Sequence, residues 1–437
     1  MSTESFARSA AATTAAAFVA VALQAAARAG SDGLLHVLVG DAPGDRFGAA
    51  LAGIGDVDGD GCADFVVGAP QADPNGTSSG IARVFSGRDG RVLCTFAGDS
   101  AFDSLGAAVA GAGDVDGDGT PDVLVGAPRG EPAAGSAQVY SGRSGALLMT
   151  FSGAGAGERF GQSVCGIGDA DGDGRGDLAI GAPLSDAVGE SSGRVELRSG
   201  ATGALLFALH GEPFDRFGTS LAAAGDLDGD GRADVLIGAP LSDAGAFNAG
   251  SARVHSGRDG SLIAAFHGAG AGDQLGQWVA GAGDVDGDGR PDVLLGIPGA
   301  DANGIDSGAA ELRSGATGVL LLRVAGSEEG AYLGTVAGLG DVDADGRPDL
   351  ALGAASTPAL GPESGSALLV RGPPGSPAAA LFGRGAYDWF GASLAGVGDA
   401  DGDGWPDLAI GAPAHDDVLT KPGYVQVYSG RWLAGAP

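Results

Sequence analysis

Twenty-eight aspartates stand in seven loops of one design, and carboxylates so crowded repel one another unless a cation sits among them. The first loop is Asp56-Val57-Asp58-Gly59-Asp60-Gly61-Cys62-Ala63-Asp64, with acids at positions one, three, five and nine. The same spacing recurs in Asp114, Asp116, Asp118, Asp122; in Asp169, Asp171, Asp173, Asp177; and in Asp226, Asp228, Asp230, Asp234. It returns in Asp284, Asp286, Asp288, Asp292; in Asp341, Asp343, Asp345, Asp349; and in Asp399, Asp401, Asp403, Asp407. Alternate acids on a tightly curled backbone can aim three side chains at one point. A hard divalent ion that takes six to eight oxygens suits such a set, so each loop reads as a Ca2+ site, up to seven in all. Position six is Gly in every copy (Gly61, Gly119, Gly174, Gly231, Gly289, Gly346, Gly404), where the chain must bend sharply. Position seven varies (Cys62, Thr120, Arg175, Arg232, Arg290, Arg347, Trp405), as expected of a residue that coordinates through its backbone carbonyl alone. The sixth loop alone has Ala344 at position four, where the others carry Gly, yet it keeps all four acids.

Asp-Gly runs also make ordinary hairpin turns, and one copy would not decide between a turn and an ion site. Seven complete copies, 55 to 58 residues apart, argue for bound ions and for a repeat architecture. The flanks are apolar and β-favouring, as in Phe65-Val66-Val67 and Val235-Leu236-Ile237, so the ion is expected to clip a β-hairpin. A structural role for it is expected, not a sensing or catalytic one.

The elements that must position these loops follow from the repeat. In the first unit, Phe47-Gly48 opens a strand at 49–54 that delivers the loop. A second strand is expected at 64–67, running into Gly68-Ala69-Pro70, a third at 81–85 after a polar linker, and a fourth at 91–96. Four short strands with turn signals at this spacing form an antiparallel blade. The fold class is therefore all-β: a seven-bladed β-propeller of four-stranded blades, spanning 30–437. The blades fall near 47–97, 105–152, 160–210, 217–267, 275–325, 333–382 and 390–430. The last unit lacks a fourth strand, and the surplus strand at 34–39 is expected to complete it and close the ring, leaving no exposed edge.

Charge and composition narrow the function. The chain carries 55 acids against 24 basic residues, a net −31, and the loops hold 28 of the acids. Seven divalent ions would bring the net to about −17, still a poor match for nucleic acid. Glycine is abundant (85 residues), but 44% of residues are apolar and fall in regular runs, which argues for folded strands against disorder. Residues 1–29 resemble a signal peptide: Arg8, an Ala-rich apolar stretch through Phe18-Val19-Ala20-Val21-Ala22-Leu23, then Ala27-Arg28-Ala29. No membrane insertion is expected elsewhere, and the protein is expected to be secreted or at the cell surface, extracellular or periplasmic, and monomeric. Weak aspartate sites work where calcium is near millimolar, outside cells. Cys62, Cys94 and Cys165 cannot all pair, so disulfides are not expected to staple the fold.

Phe-Gly at 47, 160, 217 and 390, Leu-Gly at 105, 275 and 333, the Asp loop, and Gly-Ala-Pro at 68, 126, 181, 238 and 411 together resemble the FG-GAP repeat. That repeat builds the β-propeller of the integrin α-subunit and its bacterial relatives. Gly296-Ile297-Pro298 and Gly353-Ala354-Ala355 are variants. The resemblance covers about 34–430. It implies a calcium-stabilised propeller used for extracellular recognition or adhesion, with a protein or a glycan as ligand.

Strand alternation puts the Asp loops and the Ser-Gly turns on one face of the disc and leaves the opposite face for recognition. Just before Phe-Gly an acid recurs at Asp45, Asp103, Glu158, Asp215, Asp273 and Asp388, which reads as structural. Phe102, Phe214, Tyr332, Tyr387 and Trp389 vary between units, and Phe247 lies in a linker between second and third strands. These are the candidate ligand-binding residues, since exposed rings stack on sugars or anchor a protein partner. The competing reading is that they cover blade edges. No catalytic residues are assigned: His36, His210, His255, His267 and His415 are scattered, with no nucleophile or zinc spacing beside them. A secreted glycan-cleaving lyase or hydrolase, and a purely structural surface component, stand as alternatives.

Overall fold

In a computed structural model, residues 33–128, 134–373, 375–414 and 421–435 are described. The segment read as a signal peptide and His415 both lie outside them. The chain forms seven four-stranded antiparallel sheets with almost no helix. In the first blade the strands are Ala50–Gly55, Asp64–Ala69, Ile81–Phe85 and Val92–Ala97, in that spatial order. The first and fourth start one residue later than the sequence pattern implied. The second runs two residues further, because Gly68 and Ala69 still pair with the third strand opposite Ala82 and Ile81.

The second strand of every blade is buried along its whole length, which is why it reads as an unbroken apolar run such as Phe65-Val66-Val67 or Leu178-Ala179-Ile180. The first strands are innermost. Each packs against its neighbours in cyclic order, and Ser393–Gly398 of the seventh blade touches Ala50–Gly55 of the first, so the ring is closed. Closure is completed by the strand Leu34–Val39, which pairs antiparallel with Tyr424–Tyr428 as the outermost strand of the seventh blade. A short helix, Gly430–Leu433, follows that blade's third strand, and Trp432 stacks on Tyr428.

The core is divided among the blade junctions. Seven apolar clusters each draw from two adjacent blades; one joins Phe47, Phe65 and Val67 of the first to Ala409, Val425 and Val427 of the seventh. The aromatic or leucine of each Phe-Gly or Leu-Gly pair is sunk in these junctions, with Phe47, Phe160, Phe217 and Phe390 at most 1% exposed. Burying one such ring contributes about 2–3 kcal/mol. Among the described residues, no helix is long and apolar enough to cross a membrane, and all three cysteines are free.

Candidate metal centres and the opposite face

Each Asp loop follows the first strand of its blade through a register shift, as between Gly53 and Gly55, which turns the chain out of the sheet. Inside the loop the backbone folds back on the first acid. In the first copy Oδ1 of Asp56 accepts the Gly59 N–H at 2.7 Å and Oδ2 accepts the Gly61 N–H at 2.9 Å. Positions four and six require the left-handed region: φ is 77° at Gly59 and 87° at Gly61. Ala344 adopts it too, with φ of 57°, and so carries strain of about 1 kcal/mol that glycine avoids.

The ninth-position acid is different in kind. Asp64, Asp122, Asp177, Asp234, Asp292, Asp349 and Asp407 are all at most 1% exposed. One oxygen of Asp64 accepts the Val57 N–H at 2.8 Å, and the other accepts Gly87 N–H at 3.0 Å from the turn between third and fourth strands. The same pair of bonds ties Asp407 to Ala400 and Gly430. This carboxylate therefore staples the Asp loop to the second turn on that face. Burial pushes its pKa up in every loop, to about 6 for Asp64, Asp234 and Asp349 and about 7 for Asp407, against the pull of the backbone donors and with neighbouring acids adding to the rise.

Carboxylate oxygens of Asp56, Asp58 and Asp64 lie within 4.8 Å of one another, as do those of the corresponding acids in the second, third and fifth loops; in the fourth the set is Asp226, Asp228 and Asp230. Such clusters can hold a metal ion. Buried, mutually repelling acids fit a divalent cation, and the chain already leans cations of its own on them. Arg88 pairs with Asp60 at 3.1 Å, Arg91 with Asp58 at 2.5 Å, and Arg371 with Asp343 at 2.8 Å. These pairs are largely exposed, worth well under about 1 kcal/mol each, and leave the buried acids unpaired.

Position seven does more than the sequence pattern implied. Its arginines reach across to the preceding loop: Nη1 of Arg175 donates to the Val115 carbonyl at 3.1 Å and Arg347 to Val285 at 3.4 Å. Arg290 bonds Leu227 in the same way, and Arg232 lies 3.8 Å from Asp169. Successive loops are thereby tied around the ring. Sequence reasoning missed this, because the partner is about 60 residues away; four arginines in seven equivalent positions were the available signal.

On the opposite face, the acids before Phe-Gly close their own turns. Asp45 accepts Ala42 N–H at 2.9 Å, Asp103 accepts Ser100 N–H at 2.7 Å, and Asp388 accepts Gly385 N–H at 2.8 Å. Three residues before each Phe-Gly or Leu-Gly pair the backbone is always left-handed. Four blades place glycine there, whereas Phe102, Phe214 and Tyr387 occupy it with φ of 62–69°. Non-glycine residues held in this region store strain that concentrates at functional positions.

Five of the candidate rings stand partly open to solvent on this face. Phe102 is 53% exposed, Phe214 57%, Phe247 72%, Tyr332 46% and Tyr387 37%. Trp389 is half-buried, its Nε1 donating to Glu363 at 2.8 Å with the Arg46 guanidinium 5.8 Å from its ring centre. Exposed Ile305 and Leu360 lie in linkers of the same face and were not singled out from the sequence. The described histidines sit in strands: His36 bonds the Gly87 carbonyl, and His255 bonds Gly260 at 3.0 Å.

Comparison with known proteins agrees with this geometry. The FG-GAP repeat family matches residues 47–85, 105–140, 160–195, 217–255 and 390–428. The two unmatched units are those in which Gly-Ala-Pro is altered at Ile297 and at Ala355. The chain is 34% identical over 242 residues to integrin alpha-V of Gallus gallus, covering 50% of this chain and 23% of that protein. It is 33% identical over 202 residues to integrin alpha-5 of Xenopus laevis, and 31% over 211 residues to integrin alpha pat-2 of Caenorhabditis elegans, covering 42% of this chain in each case. The matches thus span under a quarter of those relatives' own lengths.

Proposed function

We propose that this FG-GAP repeat protein, similar to integrin α-subunits, is a secreted, calcium-stabilised recognition module that binds a protein or glycan through the face opposite its metal loops. The observation that carries the reading is the division of labour between faces. One face repeats the same acid cluster in every blade. The other breaks the repeat with exposed rings, three of them at strained positions where sister blades have glycine.

In each loop the acids at positions one, three, five and nine, with the position-seven carbonyl, would hold the ion. Its charge would let the buried ninth-position carboxylate stay ionised, joining the two turns of that face. Calcium fits the all-oxygen donor set and the flexible loop, with dissociation constants on the order of 10⁻⁴ M. In about 1 mM calcium each site then contributes roughly 1.4 kcal/mol, and seven contribute on the order of 10 kcal/mol. That is comparable to a whole domain's stability.

Two measurements test the proposal. Calorimetric titration of stripped protein is expected to reveal several calcium sites, accompanied by a large rise in melting temperature; an unchanged melt in excess chelator would remove the metal from the account. Screening calcium-loaded protein on glycan and extracellular-protein arrays is expected to yield a ligand whose binding falls in Tyr387→Ala and Phe214→Ala. A ligand held equally by both variants would move the site elsewhere.

A further inference from the structure

The acid loops share one spacing, yet they differ in the cations the chain itself sets against them. In three blades the residue after the Ser-Gly of the turn between third and fourth strands is an arginine that reaches the fifth-position acid of its own loop. Arg88 lies 3.1 Å from Asp60, Arg143 3.9 Å from Asp118 and Arg258 3.8 Å from Asp230. Arg88 and Arg143 also donate to the backbone carbonyls of the same acids. The third and fifth blades have Ala201 and Ala316 at this place, with no charge to offer.

The first and fifth loops are the clearest contrast. In the first, Arg91 adds a second contact, 2.5 Å from Asp58, so the acids at positions three and five both carry an arginine. In the fifth, among the described residues, no cation pairs with Asp284, Asp286, Asp288 or Asp292. Arg347 approaches that loop, but it bonds the Val285 carbonyl at 3.4 Å and none of the acids. The first loop also lies where the ring closes. Its Ala63 N–H donates to the Asp399 carbonyl of the seventh loop at 2.8 Å, and the Gly87 carbonyl, beside Arg88, accepts from His36 of the closing strand.

We propose that Arg88 and Arg91 are built-in counter-ions that make the first loop bind calcium about tenfold more weakly than the fifth, so that the two fill in sequence. The inference rests on the reading of the acid loops as calcium sites and names residues that rank them. A divalent ion drawing on Asp58 and Asp60 must share those carboxylates with two guanidinium groups or displace them, and like charges repel. Both arginine side chains are half-exposed, at 57% and 51%, so neither blocks the site outright. Giving up one exposed pair costs little, and two together account for about a factor of ten. If the fifth loop binds at about 10⁻⁴ M, the first titrates near 10⁻³ M, which is the range of calcium outside cells. The seam between first and seventh blades then tightens as extracellular calcium rises, after the fifth loop is already full.

The test strips the full chain of metal, titrates it with calcium from micromolar to about 10 mM, and follows amide hydrogen exchange by mass spectrometry in peptides covering 56–64 and 284–292. Protection of the fifth loop is expected at about tenfold lower calcium than protection of the first. The double variant Arg88→Gln, Arg91→Gln should bring the first loop's midpoint down to that of the fifth and leave the fifth where it was, which also shows that the variant is folded. Ala316→Arg should do the reverse and raise the fifth loop's midpoint alone. Equal midpoints in the parent, or a first-loop midpoint unmoved in the double variant, would overturn the ranking while leaving calcium in the loops. A calcium response in neither loop would remove the metal reading itself, and this inference with it.

Discussion

Without a divalent ion, this fold should become less stable as pH rises from about 4 to about 7, the reverse of ordinary acid denaturation. The reason lies in the ninth-position acids. An aspartate in the unfolded chain titrates near 3.9, whereas burial holds Asp64, Asp234 and Asp349 at about 6 and Asp407 at about 7. The folded state therefore binds more protons than the unfolded state across that window, and stability falls with pH wherever this is so. Holding one acid's titration midpoint a single pH unit above its unfolded value costs about 1.4 kcal/mol, so the four acids together impose a cost on the order of 10 kcal/mol by neutral pH. Asp41, held below its usual value by Arg83, pulls the other way, but it is a single, mostly exposed group. Relaxation of metal-free loops will reduce the sum; half of it would still rival a typical domain's stability. The assay is thermal melting by circular dichroism in a chelator between pH 4.5 and 8, alongside the same series in 1 mM calcium. The melting temperature should drop with pH in the chelator and hold or rise in calcium, since the ion binds only deprotonated acids. A metal-free melting temperature that is flat or climbs toward pH 7.5 would refute the reasoning.

Other perturbations probe the remaining parts. A Cβ on Gly68 would lie 2.0 Å from the Gly106 carbonyl of the next blade, so Gly68→Ala should destabilise by about 3 kcal/mol, read from the urea midpoint. Arg175→Met should cost about 1–2 kcal/mol by removing the bond to Val115 between adjacent loops, and Arg175→Lys should not fully restore it; equal stability of all three proteins would discount the inter-loop tie. Phe102→Gly should leave stability unchanged or raise it by up to about 1 kcal/mol, because relief of left-handed strain offsets the loss of a half-exposed ring. A loss above about 2 kcal/mol would mean that ring is structural.

Much of the fold was legible because the repeat overdetermines it. Phe65-Val66-Val67 and its six counterparts mark strands buried on both faces, and the surplus strand at 34–39 could be matched to the one missing from the last blade. Boundaries moved by only one or two residues, where Gly68 and Ala69 continue the ladder. The acid clusters were equally plain, since acids within one nine-residue stretch meet through local turns. What stayed hidden was long-range. The hydrogen bond from the Gly87 N–H to Asp64 spans 23 residues and that from Arg175 to the Val115 carbonyl spans 60, and neither leaves a local pattern.

From the sequence alone came the number of blades, the strand order within them, the closure and the acid clusters, because each is encoded within one repeat and multiplied seven times. Only the tertiary structure decided that the ninth-position acid is wholly buried, that position-seven arginines bridge loops, and that Arg46 of the first blade meets Trp389 of the seventh. Those facts depend on how neighbouring blades pack against one another around the ring. Adjacency of that kind is a property of the closed circle, and no single repeat contains it.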